Sequence, residues 1–277
     1  MPPLAIAAAL TSALIHASWN AALKGGTDRI TDSFLVDVGG LAVGGALLVW
    51  LGPLPYEALP YLALSVAIHL AYWFTLFKGY DTGDLSHVYT LSRGTAPMLV
   101  AVGAALTVGE IPPTLKMIGI ALVSAGVICV GASPNAPLRA TLWAFAIGLC
   151  ISGYSLNDAL GARVGGNAVQ YLGWTTFLMS IPMIGFALWR RGARRLLRDA
   201  RVAPWRGIAI GVISFAGYGL VLWAQTFAPI AQVTALRETS VVFGALIAFL
   251  FLRERLGVRR WIGAMIVAGG AGLIAFA

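Results

Sequence analysis

The sequence predicts an all-α polytopic membrane protein with ten transmembrane helices, arranged as two five-helix inverted repeats. Three observations predict this fold class: an apolar composition, ten long apolar segments, and an internal repeat. Hydrophobic residues make up 59% of the 277 positions and charged residues 11%, whereas soluble domains carry about 45–50% apolar and about 25% charged residues. A soluble domain of this size cannot bury so much apolar surface, but a membrane protein exposes it to lipid. The composition therefore excludes the soluble, disordered and fibrous classes.

Ten apolar segments, separated by polar residues and prolines, are predicted to form the helices. A membrane-spanning helix takes about 20 residues. The predicted spans are residues 3–23, 33–51, 58–77, 85–108, 115–132, 140–157, 169–189, 207–227, 231–252 and 258–276. Pro97 and Pro182 fall inside spans four and seven and predict kinks there. Gly40 and Gly44, four positions apart in span two, predict a close approach to a neighbouring helix.

The two halves of the chain repeat each other. Glu110 and Glu254 end matching hydrophobic runs 144 positions apart, and residues around them match at the same offset. Because each half holds five spans, an odd number, the second half must enter the membrane from the opposite side. The repeat is therefore predicted to be inverted, with residues 1–137 and 138–277 as its two units. Secondary transporters bind substrate at the interface of such repeats, near the bilayer midplane.

A family resemblance rests on a motif present in both halves: a helix ends in a Gly-Glu or Arg-Glu pair, a short turn follows, and the next helix opens with Ile-Gly. The residues that carry it are Tyr80, Pro97, Glu110, Gly119 and Gly126 in the first half, and Glu254, Gly263 and Gly270 in the second. This pattern resembles the EamA-type transporters of the drug/metabolite transporter superfamily, over essentially the whole chain. The resemblance implies a ten-helix exporter of small metabolites, often amino acids, in the bacterial inner membrane.

The positive charges leave the membrane orientation open. Most Lys and Arg residues lie in loops after odd-numbered spans, and the positive-inside rule would then place both termini outside. The family resemblance implies both termini inside. The net charge of +8 is assigned to cytoplasmic loops rather than to nucleic-acid binding. Arginines of the segment 190–198 have helical spacing and predict an amphipathic helix on anionic headgroups.

Ionisable residues inside the predicted spans are the candidate functional residues, because such groups are costly in lipid unless they are paired or functional. Arg93 lies near the middle of span four, and Arg237 with Glu238 near the middle of span nine. The repeat should bring these spans together. The arginines are candidates to bind a substrate carboxylate, and Glu238 to bind a substrate ammonium. An internal ion pair with Glu238 or Asp37 is the alternative for both arginines.

Further candidates come from the other polar and aromatic residues of the spans. Glu238, Asp37 and His16 are the candidates to carry a coupling proton. His16 and Trp19 share one stripe of span one with Asn20, and are candidates to contact substrate. The remaining candidates for the substrate site are aromatic: Tyr72, Tyr89, Tyr218 and Trp223.

Four polar residues are given structural roles instead. Asp158 and His87 lie at predicted span ends, where we expect their side chains to extend toward the interface. Asn20 and Asn157, which correspond in the repeat, are expected to hydrogen-bond between helices.

Together these observations predict a secondary-active exporter of small amphoteric metabolites, with amino acids, apolar and aromatic ones included, as the expected substrates. Broad efflux of lipophilic cationic drugs is the alternative, although it makes little use of central arginines. The sequence lacks His-Glu-x-x-His, Gly-x-Ser-x-Gly and P-loop motifs, so neither an enzyme nor a metal or cofactor site is predicted. The expected partners are a small-molecule substrate and the lipid bilayer, without nucleic acid, for a monomer or homodimer.

Overall fold

The computed structural model of the protein describes residues 1–23, 29–201, 204–251, 253 and 256–277, and this part is α-helical without strands. A 3₁₀ turn, Tyr56–Ala58, precedes the third helix. The helices are α1 (Pro3–Leu23), α2 (Arg29–Leu51), α3 (Leu59–Thr82), α4 (Leu85–Val108), α5 (Thr114–Gly131), α6 (Leu138–Gly165), α7 (Ala168–Arg191), α8 (Ala193–Ala200), α9 (Pro204–Phe227), α10 (Ile230–Arg237), α11 (Ser240–Leu250) and α12 (Val258–Phe276). Within the described residues, ten spans are long and apolar enough to cross a membrane. The ten predicted spans are thus confirmed.

The sixth span is longer than predicted. The polar residues after position 157 suggested a helix end, but α6 continues to Gly165. It ends where Gly166 adopts a left-handed conformation with φ of 72° and donates its N–H to the Arg163 carbonyl. Glycine tolerates this conformation without steric cost, which makes it a common helix terminator. Asp158 therefore lies inside the helix, about two turns from its end.

The ninth span is interrupted, where the apolar pattern predicted one continuous helix. Between α10 and α11, the N–H groups of Glu238 and Thr239 bond to carbonyls three residues earlier, those of Ala235 and Leu236. The Thr239 hydroxyl also donates to the Leu236 carbonyl over 2.7 Å. This short stretch of tighter turns replaces the regular i to i−4 pattern, and Glu238 lies within it.

The helices pack mainly in pairs. Helix α2 packs against α7, and α5 packs against α12. Helix α1 contacts α9, α10 and α11, and helix α6 contacts α3 and α4. The inverted repeat itself stays a prediction.

Glycines set the spacing between α5 and α12. A Cβ atom on Gly119 would lie 2.8 Å from the Gly270 carbonyl oxygen, and one on Gly126 would lie 2.8 Å from that of Gly263. The two helices therefore run antiparallel with their backbones in contact. The sequence offset of 144 relates Gly119 to Gly263 and Gly126 to Gly270. The two contacts are therefore equivalent, as they would be around a two-fold axis between the helices. Gly44 approaches α7 in the same way: a Cβ there would lie 2.8 Å from the carbonyl oxygen of Gly173.

Large apolar side chains face outward, as the lipid-facing surface of a membrane protein requires. Val49, Leu106 and Phe276 are among those that are more than four-fifths exposed. The interior is filled largely by alanine, valine and isoleucine from α1, α4, α5, α9, α10 and α12. Small interior residues allow the close helix packing that bundles in lipid depend on.

Candidate functional site

Two adjoining cavities lie in the centre of the helix bundle. The larger, of about 300 Å³, is lined by residues of α1, α3, α4, α6, α9 and α10. The smaller, of about 220 Å³, lies toward α2 and α7. The residues that line both cavities are Tyr72, Tyr154, Ser214, Tyr218 and Arg237. Three tyrosines and one arginine thus form the wall between the cavities.

Arg93 and Glu238 form a buried ion pair. Arg93 Nε donates to Glu238 Oε2 over 3.0 Å, and Arg93 Nη2 lies 2.9 Å from Oε1. Both side chains are buried. The pair ties the middle of α4 to the break between α10 and α11. For these two residues the structure shows the internal ion pair that the sequence left as the alternative.

Arg237 differs from Arg93, because no ion pair joins it to a carboxylate of the described residues. Its guanidinium carbon lies 5.3 Å from the centre of the Tyr218 ring, a favourable cation–π distance. Its Nε is buried and has no hydrogen-bond partner among the described residues. Buried polar atoms without partners are uncommon in native proteins and suggest a function. Arg237 is not fully buried and lines both cavities, so its guanidinium, which is not paired with a carboxylate, can meet a ligand there.

The predicted stripe on α1 lines the larger cavity. His16 Nε2 lies 3.4 Å from the Tyr89 hydroxyl, and the His16 ring meets Trp19 edge-on at 5.2 Å. Both His16 and Trp19 face the cavity, as does Asn20. However, the side-chain amide of Asn20 donates to the His16 carbonyl of its own helix. The expectation of an inter-helix bond at Asn20 is thus wrong, because this carbonyl lies one turn away within reach.

Tyr154 lies at the centre of an aromatic cluster. Its ring stacks on His69 at 4.3 Å and meets Tyr72 and Tyr218 edge-on at 5.8 and 6.3 Å. His69 could be recognised from sequence as an ionisable residue deep in a span, but Tyr154 could not be singled out, because buried aromatic residues and those of interfacial belts have the same composition signal. Ring contacts from two other helices, α3 and α9, make the distinction.

Asp37 lines the smaller cavity, together with His69, Ser180 and Arg237. It is half-buried. Among the residues that the structure describes, no hydrogen bond or ion pair to Asp37 is present. This cavity therefore holds a carboxylate and a guanidinium that are not paired with one another.

Asp158 corrects a sequence-based interpretation. It is completely buried, and its oxygens accept hydrogen bonds from Tyr218 at 2.7 Å and Tyr171 at 3.4 Å. It does not extend toward the interface, because α6 continues beyond it and places it against α7 and α9. His87 is likewise buried: its Nδ1 accepts the Ser133 N–H over 2.9 Å.

Two further expectations can be compared with the structure. The Asn157 side chain donates to the Tyr61 carbonyl of α3 over 2.8 Å, so the inter-helix bond predicted there is confirmed. Trp223 lines neither cavity; it is 38% exposed and packs edge-on against Phe227. Five residues after Tyr218 on α9, it lies about 140° around the helix from the cavity-lining face.

Comparison with known proteins places this architecture in a family. Residues 138–276 match the EamA-like transporter family. The chain belongs to the EamA-like transporter family. The match covers half of the chain and nearly coincides with the second predicted repeat. No curated protein matches the sequence. A solved structure described only as "Crystal structure of protein" is 17% identical, with a TM-score of 0.75 and 98% of each chain covered, and it shows the same fold.

In this EamA-like transporter the motif residue Glu110 joins four helix ends. Its Oε1 lies 2.7 Å from Arg163 Nη1, and its Oε2 accepts the N–H of Ile230, the first residue of α10. Arg163 also donates to the carbonyls of Gln225 and Ala228 at the end of α9. The cluster holds the ends of α4, α6, α9 and α10 together. The corresponding motif residue, Glu254, lies outside the described residues.

Proposed function

We propose that this EamA-like transporter is a secondary-active exporter of small amphoteric metabolites across the bacterial inner membrane, with amino acids as its principal substrates. The observation that carries the proposal is the guanidinium of Arg237, which lines both cavities and has no ion pair with a carboxylate of the described residues. A substrate carboxylate that accepts from this guanidinium would form a charge-assisted hydrogen bond. Asp37, in the same smaller cavity, is placed to accept from a substrate ammonium.

Cavity size and lining support a small substrate with an apolar part. Sites for drug-sized ligands occupy about 300–1,000 Å³, and the larger cavity has only about 300 Å³. Tyr72, Tyr154 and Tyr218 offer ring faces and edges to an apolar or aromatic side chain, which contributes about 0.5–1.5 kcal/mol per aromatic contact beyond its area burial.

Efflux of lipophilic cations is the second candidate, and Asp37 is the observation that favours it. A cation exporter needs an accessible carboxylate, and Glu238 is occupied by Arg93. Asp37 is accessible, but it shares its cavity with Arg237. A guanidinium in the same small cavity repels a cationic substrate, so this candidate ranks below the amphoteric one.

The test is transport in liposomes with a panel of labelled amino acids. We expect saturable flux of some of them, and a decrease of about 10- to 100-fold in kcat/KM for Arg237→Gln, the size of one lost hydrogen bond to a charged group. Arg237→Lys keeps the charge but loses the planar fork, and should fall between. Arg194→Gln, a charge loss on an exposed residue of α8, is the matched control and should transport normally.

The result that contradicts the proposal is equally specific. If folded protein carries lipophilic cations but no amino acid, and Arg237→Gln leaves that flux unchanged, the second candidate replaces the first.

A further inference from the structure

A buried carboxylate beside the cavities has no cationic partner. Asp158 is completely buried, yet no ion pair joins it to any Lys, Arg or His of the described residues. Arg163, the nearest cation along α6, is engaged by Glu110. An ionised group at membrane depth needs either a counter-charge or a function. At Asp158 a bound proton would take the place of the absent counter-charge.

Titratable side chains from six helices surround Asp158, and a proton site depends on every charged neighbour. The titratable side chains in this region are His69 and Tyr61 on α3, Arg93 on α4, Tyr154 on α6 itself, Tyr171 on α7, Tyr218 on α9, and Arg237 with Glu238 on α10. Arg93 is neutralised by Glu238. The remaining cation, Arg237, lies over the ring of Tyr218, whose hydroxyl donates to Asp158.

Tyr218 connects Asp158 to the substrate cavities. Its hydroxyl donates to Asp158 Oδ2 over 2.7 Å, while its ring receives the guanidinium of Arg237 at 5.3 Å. The same tyrosine lines both cavities. A substrate that draws Arg237 away from the ring therefore acts on the side chain that holds the carboxylate. Asp158 and the candidate substrate donor, Arg237, thus both contact Tyr218.

The second hydrogen bond to Asp158 requires a glycine. Tyr171 donates to Oδ1 over 3.4 Å, and its ring lies against Gly161, where a Cβ atom would overlap the ring. Gly161 is three residues after Asp158, on the same face of α6. Helix α6 thus supplies both the carboxylate of Asp158 and, at Gly161, the space that the ring of its donor Tyr171 occupies.

We propose that Asp158 binds the proton whose inward movement drives export, with Tyr218 as its connection to the cavity. This inference rests on the transport function proposed above. In the uptake step, the Tyr218 hydroxyl passes its proton to Asp158 Oδ2, and its oxygen accepts one from a hydronium ion in the cavity, which becomes neutral water. One O–H bond breaks and one forms at the tyrosine, and the carboxylate becomes a neutral acid. After the cavity has closed to one side of the membrane and opened to the other, the reverse step releases the proton on that second side.

The other carboxylates of the spans are less suited to this role. Glu238 is held in an ion pair, and Asp37 faces the cavity where a substrate ammonium would bind. Both were candidates for proton coupling from sequence. Neither combines complete burial with the absence of a cationic neighbour and a hydrogen bond to a cavity-lining side chain.

The test separates proton coupling from substrate movement. Liposomes containing the full chain are assayed for two activities: exchange of labelled against unlabelled amino acid at equal pH, and accumulation driven by a pH gradient. We expect Asp158→Asn to retain exchange and to lose gradient-driven accumulation, together with the substrate-induced pH change reported by a trapped dye. Asp81→Asn, the same substitution at an exposed residue on the last turn of α3, should retain both activities.

Each outcome decides the inference. Gradient-driven accumulation by Asp158→Asn overturns it, and so does wild-type exchange without any proton movement; the transport proposal survives in both cases. Absence of wild-type exchange as well as accumulation is failure of the transport proposal itself. If Asp158→Asn does not fold, Tyr218→Phe replaces it, since it keeps the ring beneath Arg237 and removes the hydroxyl. Full proton-driven accumulation by Tyr218→Phe would then overturn the inference.

Discussion

Arg93 and Arg237 are separated by the repeat offset of 144 residues, yet their surroundings differ. Arg93 lies in the middle of a continuous helix and is paired with a glutamate. Arg237 ends a short helix and has no ion pair with a carboxylate of the described residues. The following residue explains the difference: Gly94 in the first half, Glu238 in the second. Glu238 pairs with Arg93, so Arg237 is the cation that is left for a ligand.

Packing explains why position 94 has no side chain. A Cβ atom there would lie 2.9 Å from the Ser124 carbonyl oxygen and in contact with Ile128 of α5. At Glu238 the interruption of the helix turns the side chain toward α4 instead. This difference between Gly94 and Glu238 thus leaves Arg237 as an unpaired positive charge at the centre of the site.

The largest expected effect comes from Glu238→Gln, because it leaves Arg93 buried without its counter-charge. Breaking one partner of a buried ion pair costs about 3–5 kcal/mol, so the free energy of unfolding should fall by that amount. The measurement is denaturation in detergent followed by circular dichroism. The double variant Arg93→Gln with Glu238→Gln removes both charges and should recover most of the loss.

A different result would change the comparison. Equal loss in the double variant and in Glu238→Gln would show that the charge of Arg93 is not the cause, and that the glutamate stabilises the break between α10 and α11 by its own contacts.

A smaller effect is expected from Gly94→Ala, with Gly244→Ala as its matched control. Both substitutions gain the same helix propensity, about 1 kcal/mol. A Cβ on Gly244 meets nothing within 4 Å, whereas the one on Gly94 overlaps α5 and should cost about 1–3 kcal/mol. We expect a lower Tm for Gly94→Ala and an unchanged or higher Tm for Gly244→Ala. Equal values would show that α4 and α5 can separate without cost.

The fold was largely predictable from sequence, because lipid imposes a long apolar segment for each span. All ten spans were recognised, and several bounds, such as Pro3–Leu23 and Leu85–Val108, are the observed ones. The break at Glu238 was not predictable, since the apolar pattern continues through it. Its Glu238 pairs with a residue 145 positions away, a contact that no local pattern shows.

The sequence predicted which types of residue form the site, but not which side chains contact one another there. Arg93, Arg237, Tyr72 and Tyr218 were identified as ionisable or aromatic residues inside spans, and all four line the larger cavity. Asp158 was assigned to the membrane interface because polar neighbours follow it. Its two tyrosine donors come from α7 and α9, and the local sequence does not predict contacts with other helices.

The smallest expected change in stability is the one that sharpens the comparison most. Arg237→Gln removes a cation–π contact worth about 0.5–2 kcal/mol and also a buried donor whose missing partner costs about 1–3 kcal/mol. The two nearly cancel, so we expect the free energy of unfolding to change by less than about 1 kcal/mol while amino-acid transport falls. A group that stability does not require but transport does belongs to the substrate site. A loss as large as that of Glu238→Gln would instead make both arginines part of the scaffold, and would leave the cavities without their substrate donor.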